Sequence, residues 1–398
     1  MRLIADEQIL FRSPDPKSIY CFTPAVLSGD GDRLIVGVDL GGPGTPALEG
    51  PRSRLGDTPE GNQVRLLLSD DGGTSWREAA DRLPMRHEVL FRAGKSLYAM
   101  GNAPELVISR SDDNGDHWTT PTVLAGIGQR TWHQSSTTPV YRNGNVYLVM
   151  ERPRDGVSDW PGYEQVLLAG REDADLCDRA NWRFSPAFDA DPLCESVRDL
   201  SDLAANAHVG LLETQLVPLT PECGHLYSPD ETAFLLCARF NSPGVQIGAI
   251  LKGVDHPDGR LEITRFAGRD PEHPLFAMPF PGASLKIHVL YDEVSRLYFL
   301  AANQPTCVFA PPGVEAKNRR TLLLWAARDA MSWQPLGTIA RGPADHAARN
   351  YPHMAICGDD LLVAVRSGDE HAASAHNNNL ITLHRVRDFR RLAVETGL

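Results

Sequence analysis

The chain has 398 residues, 42% of them hydrophobic, and a formal net charge of −12 with acidic and basic residues interspersed. Phosphate contacts need a basic stripe, so this balance argues against nucleic acid as a partner. No apolar run approaches the roughly 18 residues of a membrane span, and residues 1–10 hold no continuous apolar stretch of a secretory leader. The seven cysteines include no CxxC pair and read as reduced thiols of a cytoplasmic protein.

Short aliphatic runs recur from end to end, punctuated by 34 Gly and 30 Pro. Few keep a 3.6-residue period beyond two turns, so the chain reads as nearly all β, one domain over residues 1–398. A strand within residues 1–12 is expected to pair near Leu380 to Val386. The run from Ile19 to Leu27 is followed by Gly29-Asp30-Gly31-Asp32 and the strand Leu34 to Val38. A loop from Gly41 to Gln63 then carries Arg52, Arg54, Asp57 and Glu60.

The next strand, Val64 to Leu68, enters Ser69-Asp70-Asp71-Gly72-Gly73-Thr74-Ser75-Trp76. The phrase returns 42 positions on (69 to 111) as Ser111-Asp112-Asp113-Asn114-Gly115-Asp116-His117-Trp118. Asp bonds the turn backbone, Gly supplies positive φ and Trp folds back on the hairpin. Weaker copies lie at Asp173 to Trp182 and at Ala326 to Trp333. A Trp-closed hairpin repeated at about 40 residues signals a β-propeller. About 398 residues allow six blades of ~65, with seven as the alternative.

Polar residues at strand starts are the candidates for chemistry. Arg130-Thr131-Trp132-His133-Gln134-Ser135-Ser136 precedes the strand Asn145 to Met150, which ends in Glu151-Arg152. Trp132 reads as a sugar platform and His133 as a group that titrates near neutrality. Glu213 lies inside the apolar run Leu212 to Val217, where an unpaired charge costs several kcal/mol, on the order of 3 to 5. It therefore has a partner or a job. Arg349-Asn350-Tyr351-Pro352-His353 and His376-Asn377-Asn378-Asn379 add Arg152, His353 and His376 to the candidate substrate contacts.

The two Trp-closed phrases are Asp boxes and resemble those of sialidase-like β-propellers, where they lie on the rim away from substrate. Glu213-Thr214-Gln215-Leu216-Val217, followed by Leu235-Leu236-Cys237-Ala238-Arg239-Phe240-Asn241, resembles the sialidase phrases of the same order. The resemblance implies that Glu213 activates a Tyr nucleophile and that Arg239 is the second of three arginines gripping a carboxylate. It makes Arg319 the third, with Arg320 as the other register. It sets Tyr351 at the nucleophile, before the Gly358-Asp359-Asp360 turn, and Asp57 at the acid/base. Where the first arginine belongs, this chain has Phe22, so weak or absent activity on ordinary sialosides is expected unless Arg54 or Arg152 fills the gap. From Tyr351 onward the phrases are similar to those of uncharacterised bacterial sialidase-family proteins. Such propellers also host uronate lyases that rely on a histidine, which keeps His133 a catalytic candidate.

The leading expectation is an exo-acting glycoside hydrolase on a terminal acidic sugar, using Tyr351, Glu213 and Asp57, with no cofactor or metal. The alternatives are a uronate lyase with His133 or Tyr351 as base, and a non-catalytic sugar-binding propeller. Glu213, Arg239, Arg319, Tyr351 and His133 are expected to line one cavity. The oligomeric state stays open.

Overall fold

In a computed structural model of the chain, six antiparallel sheets form the blades of a β-propeller, as the hairpin period predicts. The structure describes residues 2–54, 61–126, 132–154, 163–190, 193–194, 210–240, 246–267, 276–304 and 318–397. Blade 1 begins with Tyr20–Ser28, blade 2 with Arg86–Ala93, blade 3 with Val140–Arg142, blade 4 with Leu211–Pro218, blade 5 with His288–Asp292 and blade 6 with Arg349–Cys357. Each of these innermost strands pairs outward with the next strand in sequence. Blade 6 is completed by Asp6–Arg12, which pairs with Leu380–Val386 and closes the ring. Glu7 reinforces the closure, taking a two-pronged ion pair from Arg349 at 2.8 and 2.9 Å.

Strands buried on both faces explain the near-continuous apolar runs. Six apolar clusters fill the spaces between neighbouring sheets, and the one between blades 4 and 5 gathers Leu235, Ile250, Val289 and Leu300. The Trp-closed turns join the third and fourth strands of their blades. Asp71 accepts from the Ser75 amide at 2.8 Å, Gly73 (φ 95°) donates to Ser69 Oγ at 2.8 Å, and Trp76 Nε1 donates to the Gly73 carbonyl at 3.1 Å. Asp113, Gly115 and Trp118 repeat these contacts. Because strands alternate direction, these turns face away from the end at which the innermost strands begin. That beginning end is the mouth.

Four innermost strands slip register near their start, between Cys21 and Pro24, Arg86 and Val89, Leu212 and Gln215, and Asn350 and His353. In three of the slips a non-glycine residue takes a left-handed conformation: His87 (φ 54°), Glu213 (φ 55°) and Tyr351 (φ 51°). Each such residue costs on the order of 1 kcal/mol. A bulge re-aims a side chain out of the alternating pattern, and here it does so at the mouth.

Below the mouth a pair of neutral histidines crosses the axis. His353 accepts from the Val26 amide at Nδ1 (3.1 Å) and donates from Nε2 to the Thr137 carbonyl (3.3 Å). His288 packs against it with ring centroids 4.4 Å apart and accepts from the Met354 amide. His353 was a candidate substrate contact in the sequence. It is 2% exposed with both nitrogens committed to backbone, and is corrected to a structural tie between blades 1, 3 and 6.

Burial, followed by Lys286, lowers His353 to about 3, and burial lowers His384 to about 4 despite Glu7 beside it. Both stay neutral in the fold, while the unfolded chain takes up protons near pH 6.5. Their contribution is therefore present above pH 6.5 and is lost as pH falls, at about 1.4 kcal/mol per unit for each histidine. Urea unfolding at pH 7.5 and pH 5 is expected to show a loss of several kcal/mol at the lower pH. A flat profile would contradict the neutral-histidine assignment.

Candidate active site

The bulges of blades 4 and 6 bring two side chains together across the mouth. Tyr351 Oη donates to Glu213 Oε1 at 2.6 Å. Arg239, on the second strand of blade 4 opposite Leu212, donates from Nη1 to Glu213 Oε2 at 2.8 Å and to Tyr351 Oη at 3.4 Å. Burial pushes the Glu213 carboxyl up, but Arg239, His133 and the Tyr351 hydroxyl outweigh it and hold the group near 2. Burial raises Tyr351, and the Glu213 charge raises it further against three arginines. The resting pair is thus an ionised carboxylate accepting from a protonated phenol.

Two more guanidiniums stand against the phenol. Arg366 lies 3.7 Å from the centre of the Tyr351 ring and 5.2 Å from that of Phe22, and is 2% exposed. Its Nε donates to the Phe22 carbonyl at 2.9 Å and its Nη1 to the His376 carbonyl at 3.3 Å. Arg319 lies 5.5 Å from the Tyr351 ring and donates to Asn350 Oδ1 at 3.4 Å. Burial draws Arg366 down to about 10, which leaves it charged at neutral pH. Among the described residues neither Arg319 nor Arg366 has a carboxylate in contact. Lys286, also buried, donates from Nζ to the Pro352 carbonyl beside Tyr351, and burial draws it down to about 7.

The opposite wall comes from blades 1 to 3. His133 Nδ1 meets Glu151 Oε2 at 2.6 Å, and the other oxygen of Glu151 accepts from the Thr214 amide (3.0 Å) and hydroxyl (3.1 Å). The His133 ring stacks on Tyr163 at 4.6 Å and takes the His87 ring edge-on at 5.4 Å. Asp39 accepts from Asn62 Nδ2 and the His87 amide, and burial raises it to about 6 despite those bonds. Among the described residues no three His, Cys, Asp or Glu side chains converge as ligands of a metal.

The structure thus gathers Tyr351, Glu213, Arg239, Arg319 and His133 at one mouth. His376 stands at the rim, exposed, its ring 5.8 Å from Phe22. Asp57 lies outside the described residues. Three expectations are corrected. Trp132 is no sugar platform: its ring is buried in the apolar cluster between blades 2 and 3, with Nε1 bonded to the Gly126 carbonyl. Arg152, on the face of its strand away from Glu151, pairs with Glu164 at 2.8 Å. Arg54 is held by Glu105 at the surface, so Arg366 stands by Phe22 where Arg54 or Arg152 was expected. Arg366, Glu151, Asp39, His87 and Lys286 went unassigned in the sequence. For Arg366 a signal existed, because it sits opposite Asn350 in blade 6 as Arg239 sits opposite Leu212 in blade 4.

No family model matches the chain, and no curated protein matches it. Solved structures do. A protein of unknown function from Dyadobacter fermentans aligns with TM-score 0.56 and 12% identity over 97% of this chain and 98% of that one. Trypanosoma rangeli sialidase in complex with the inhibitor DANA aligns with TM-score 0.57 and 12% identity over 98% of this chain, which spans 61% of the sialidase. Penicillium chrysogenum α-L-arabinanase complexed with arabinobiose gives TM-score 0.54 and 10% identity over 97% and 99%. The chain has the sialidase-like β-propeller fold, and at such identities the likeness concerns the fold alone.

Breaking a buried ion pair strands a charge, whereas removing a surplus cation relieves repulsion. Glu213→Gln is therefore expected to lose about 3 kcal/mol of stability, and Arg366→Met to unfold at an equal or higher urea concentration. A large loss for Arg366→Met would mean that its charge is compensated in the free protein.

Proposed function

We propose that this propeller is an exo-acting glycoside hydrolase for a terminal sugar bearing a carboxylate. The carrying observation is the Tyr351–Glu213–Arg239 group with Arg319 and Arg366 against the same phenol. Burying a guanidinium without an anionic partner is costly, and a ligand carboxylate is the group that offsets it bidentately. The fold shared with a sialidase and an arabinanase supports the coarser reading, a glycosidase-like propeller.

In this reading Tyr351 Oη attacks the anomeric carbon while its proton passes to Glu213 and the bond to the leaving oxygen breaks. Water then releases the sugar and Tyr351 recovers its proton. A neutral phenol suits an anionic substrate because it does not repel it, and its high pKa is met by sharing the proton with a carboxylate. Arg239, Arg319 and Arg366 hold the carboxylate. The leaving oxygen needs an acid/base group, the role the resemblance assigns to Asp57, which lies outside the described residues. A second reading, a uronate lyase, draws on the oriented His133–Glu151 pair, with His133 taking the C5 proton and an unsaturated product absorbing in the ultraviolet.

The test is a panel of 4-nitrophenyl glycosides of sialic, glucuronic and galacturonic acids, with a neutral arabinofuranoside as control. Turnover confined to a carboxylated sugar is expected. Tyr351→Phe and Glu213→Gln should each lower kcat by several orders of magnitude with little change in binding, and together cost little more than either alone. Arg366→Met should weaken binding by about 2–5 kcal/mol, roughly 30- to several-thousand-fold. Preference for the neutral sugar, or full activity in all three variants, would overturn the assignment.

A further inference from the structure

We infer that His133 carries the proton of the leaving group at this mouth, and that Glu151 is its positioning residue. The inference rests on the glycosidase reading and names His133, in place of Asp57, as its acid/base group. His133 Nδ1 is taken by Glu151 at 2.6 Å, so Nε2 is the nitrogen left to a ligand. Among the described residues Nε2 has no hydrogen-bond partner. Every other freedom of the ring is removed. Tyr163 stacks on one face, His87 meets it edge-on, and Glu151 is itself fixed by two bonds from Thr214. Thr214 follows Glu213 in the same bulge, so one carboxylate ties the imidazole to the strand that presents the nucleophile's partner. A fully buried carboxylate that fixes the tautomer of a histidine and stabilises its imidazolium is a recurrent means of preparing proton transfer.

The charges facing His133 are those of Glu151 and Glu213, with the neutral rings of Tyr163 and His87 packed on it. In the first half-reaction the imidazolium Nε2 gives its proton to the glycosidic oxygen as the bond from the anomeric carbon to that oxygen breaks and the bond to Tyr351 Oη forms. In the second, Nε2 takes a proton from the attacking water as the Tyr351 bond breaks, which returns the imidazolium. The two steps balance with water as the sole co-reactant.

The experiment uses the full chain and two glycosides of one carboxylated sugar, the 4-nitrophenyl and the methyl. The first leaving group departs without a proton and the second needs one. His133→Ala is expected to lose about 10²- to 10⁴-fold in kcat/KM on the methyl glycoside and less than roughly tenfold on the 4-nitrophenyl one. Azide should speed the variant by forming the glycosyl azide. Glu151→Gln should show the same leaving-group dependence in weaker form, at unchanged KM and with an altered pH profile, which a merely structural role would not produce. His133→Asn, closer in shape, guards against a folding defect. Equal losses on the two glycosides overturn the inference while leaving the glycosidase reading intact, as does finding the leaving-group dependence in Asp57→Ala instead. A wild-type protein that turns over neither glycoside, or a fully active Tyr351→Phe, overturns both.

Discussion

Positive charge in excess of its partners governs the mouth of this propeller. Three guanidiniums stand about one ionised carboxylate, Glu213, with Lys286 buried behind Tyr351, and that carboxylate is already shared between Arg239 and the Tyr351 hydroxyl. Like charges in a low-dielectric site repel strongly, and the fold holds them there because each sits on a strand whose apolar face is packed between blades. The binding site is in this sense a stored imbalance, which an anion of the right shape relieves. Functional sites are where a fold departs from its stability optimum.

The means of holding that imbalance is geometric. A propeller's innermost strands converge, and a regular strand would alternate its side chains between the two inter-blade cores. The left-handed residues His87, Glu213 and Tyr351 break the alternation at one level and turn three side chains towards the axis. On the second strands, Arg239 and Arg366 stand opposite the residues that precede the bulges. Blades 4 to 6 thus supply the cationic wall, and blades 1 to 3 supply carboxyl and imidazole groups. A ligand with an anionic end and a hydroxyl-rich end has one orientation that suits both walls.

Much of this was legible in the chain. The Asp and Trp of the hairpin phrases act locally, so their spacing alone carried the fold. Glu213 stood out because a charge in an apolar strand demands a partner, and Arg239 followed in the next strand. Arg366 carried the same signal, since it ends the apolar run Leu361 to Val365. Only the register of blade 6 against blade 4 reveals the equivalence, and register is a tertiary property. Trp132 misled for a related reason. Polar neighbours set it among site residues, whereas its large apolar ring was taken by the core between two blades. His353 likewise drew notice as a titratable group near Tyr351, and the backbone groups that claim its nitrogens come from blades 1 and 3, far away in sequence.

Closure of the ring by Asp6–Arg12 on Leu380–Val386 has a temporal side. Asp6–Arg12 is made well before Leu380–Val386, so the sheet that presents Tyr351 and Arg366 is completed after the other five. Until then Asp6–Arg12 waits without its partner strand, open to pairing with other chains. A growing chain therefore carries Arg239 and Arg319 on five blades before Tyr351 and Arg366 join them, and the full crowding of like charges is postponed until the circle around them is closed.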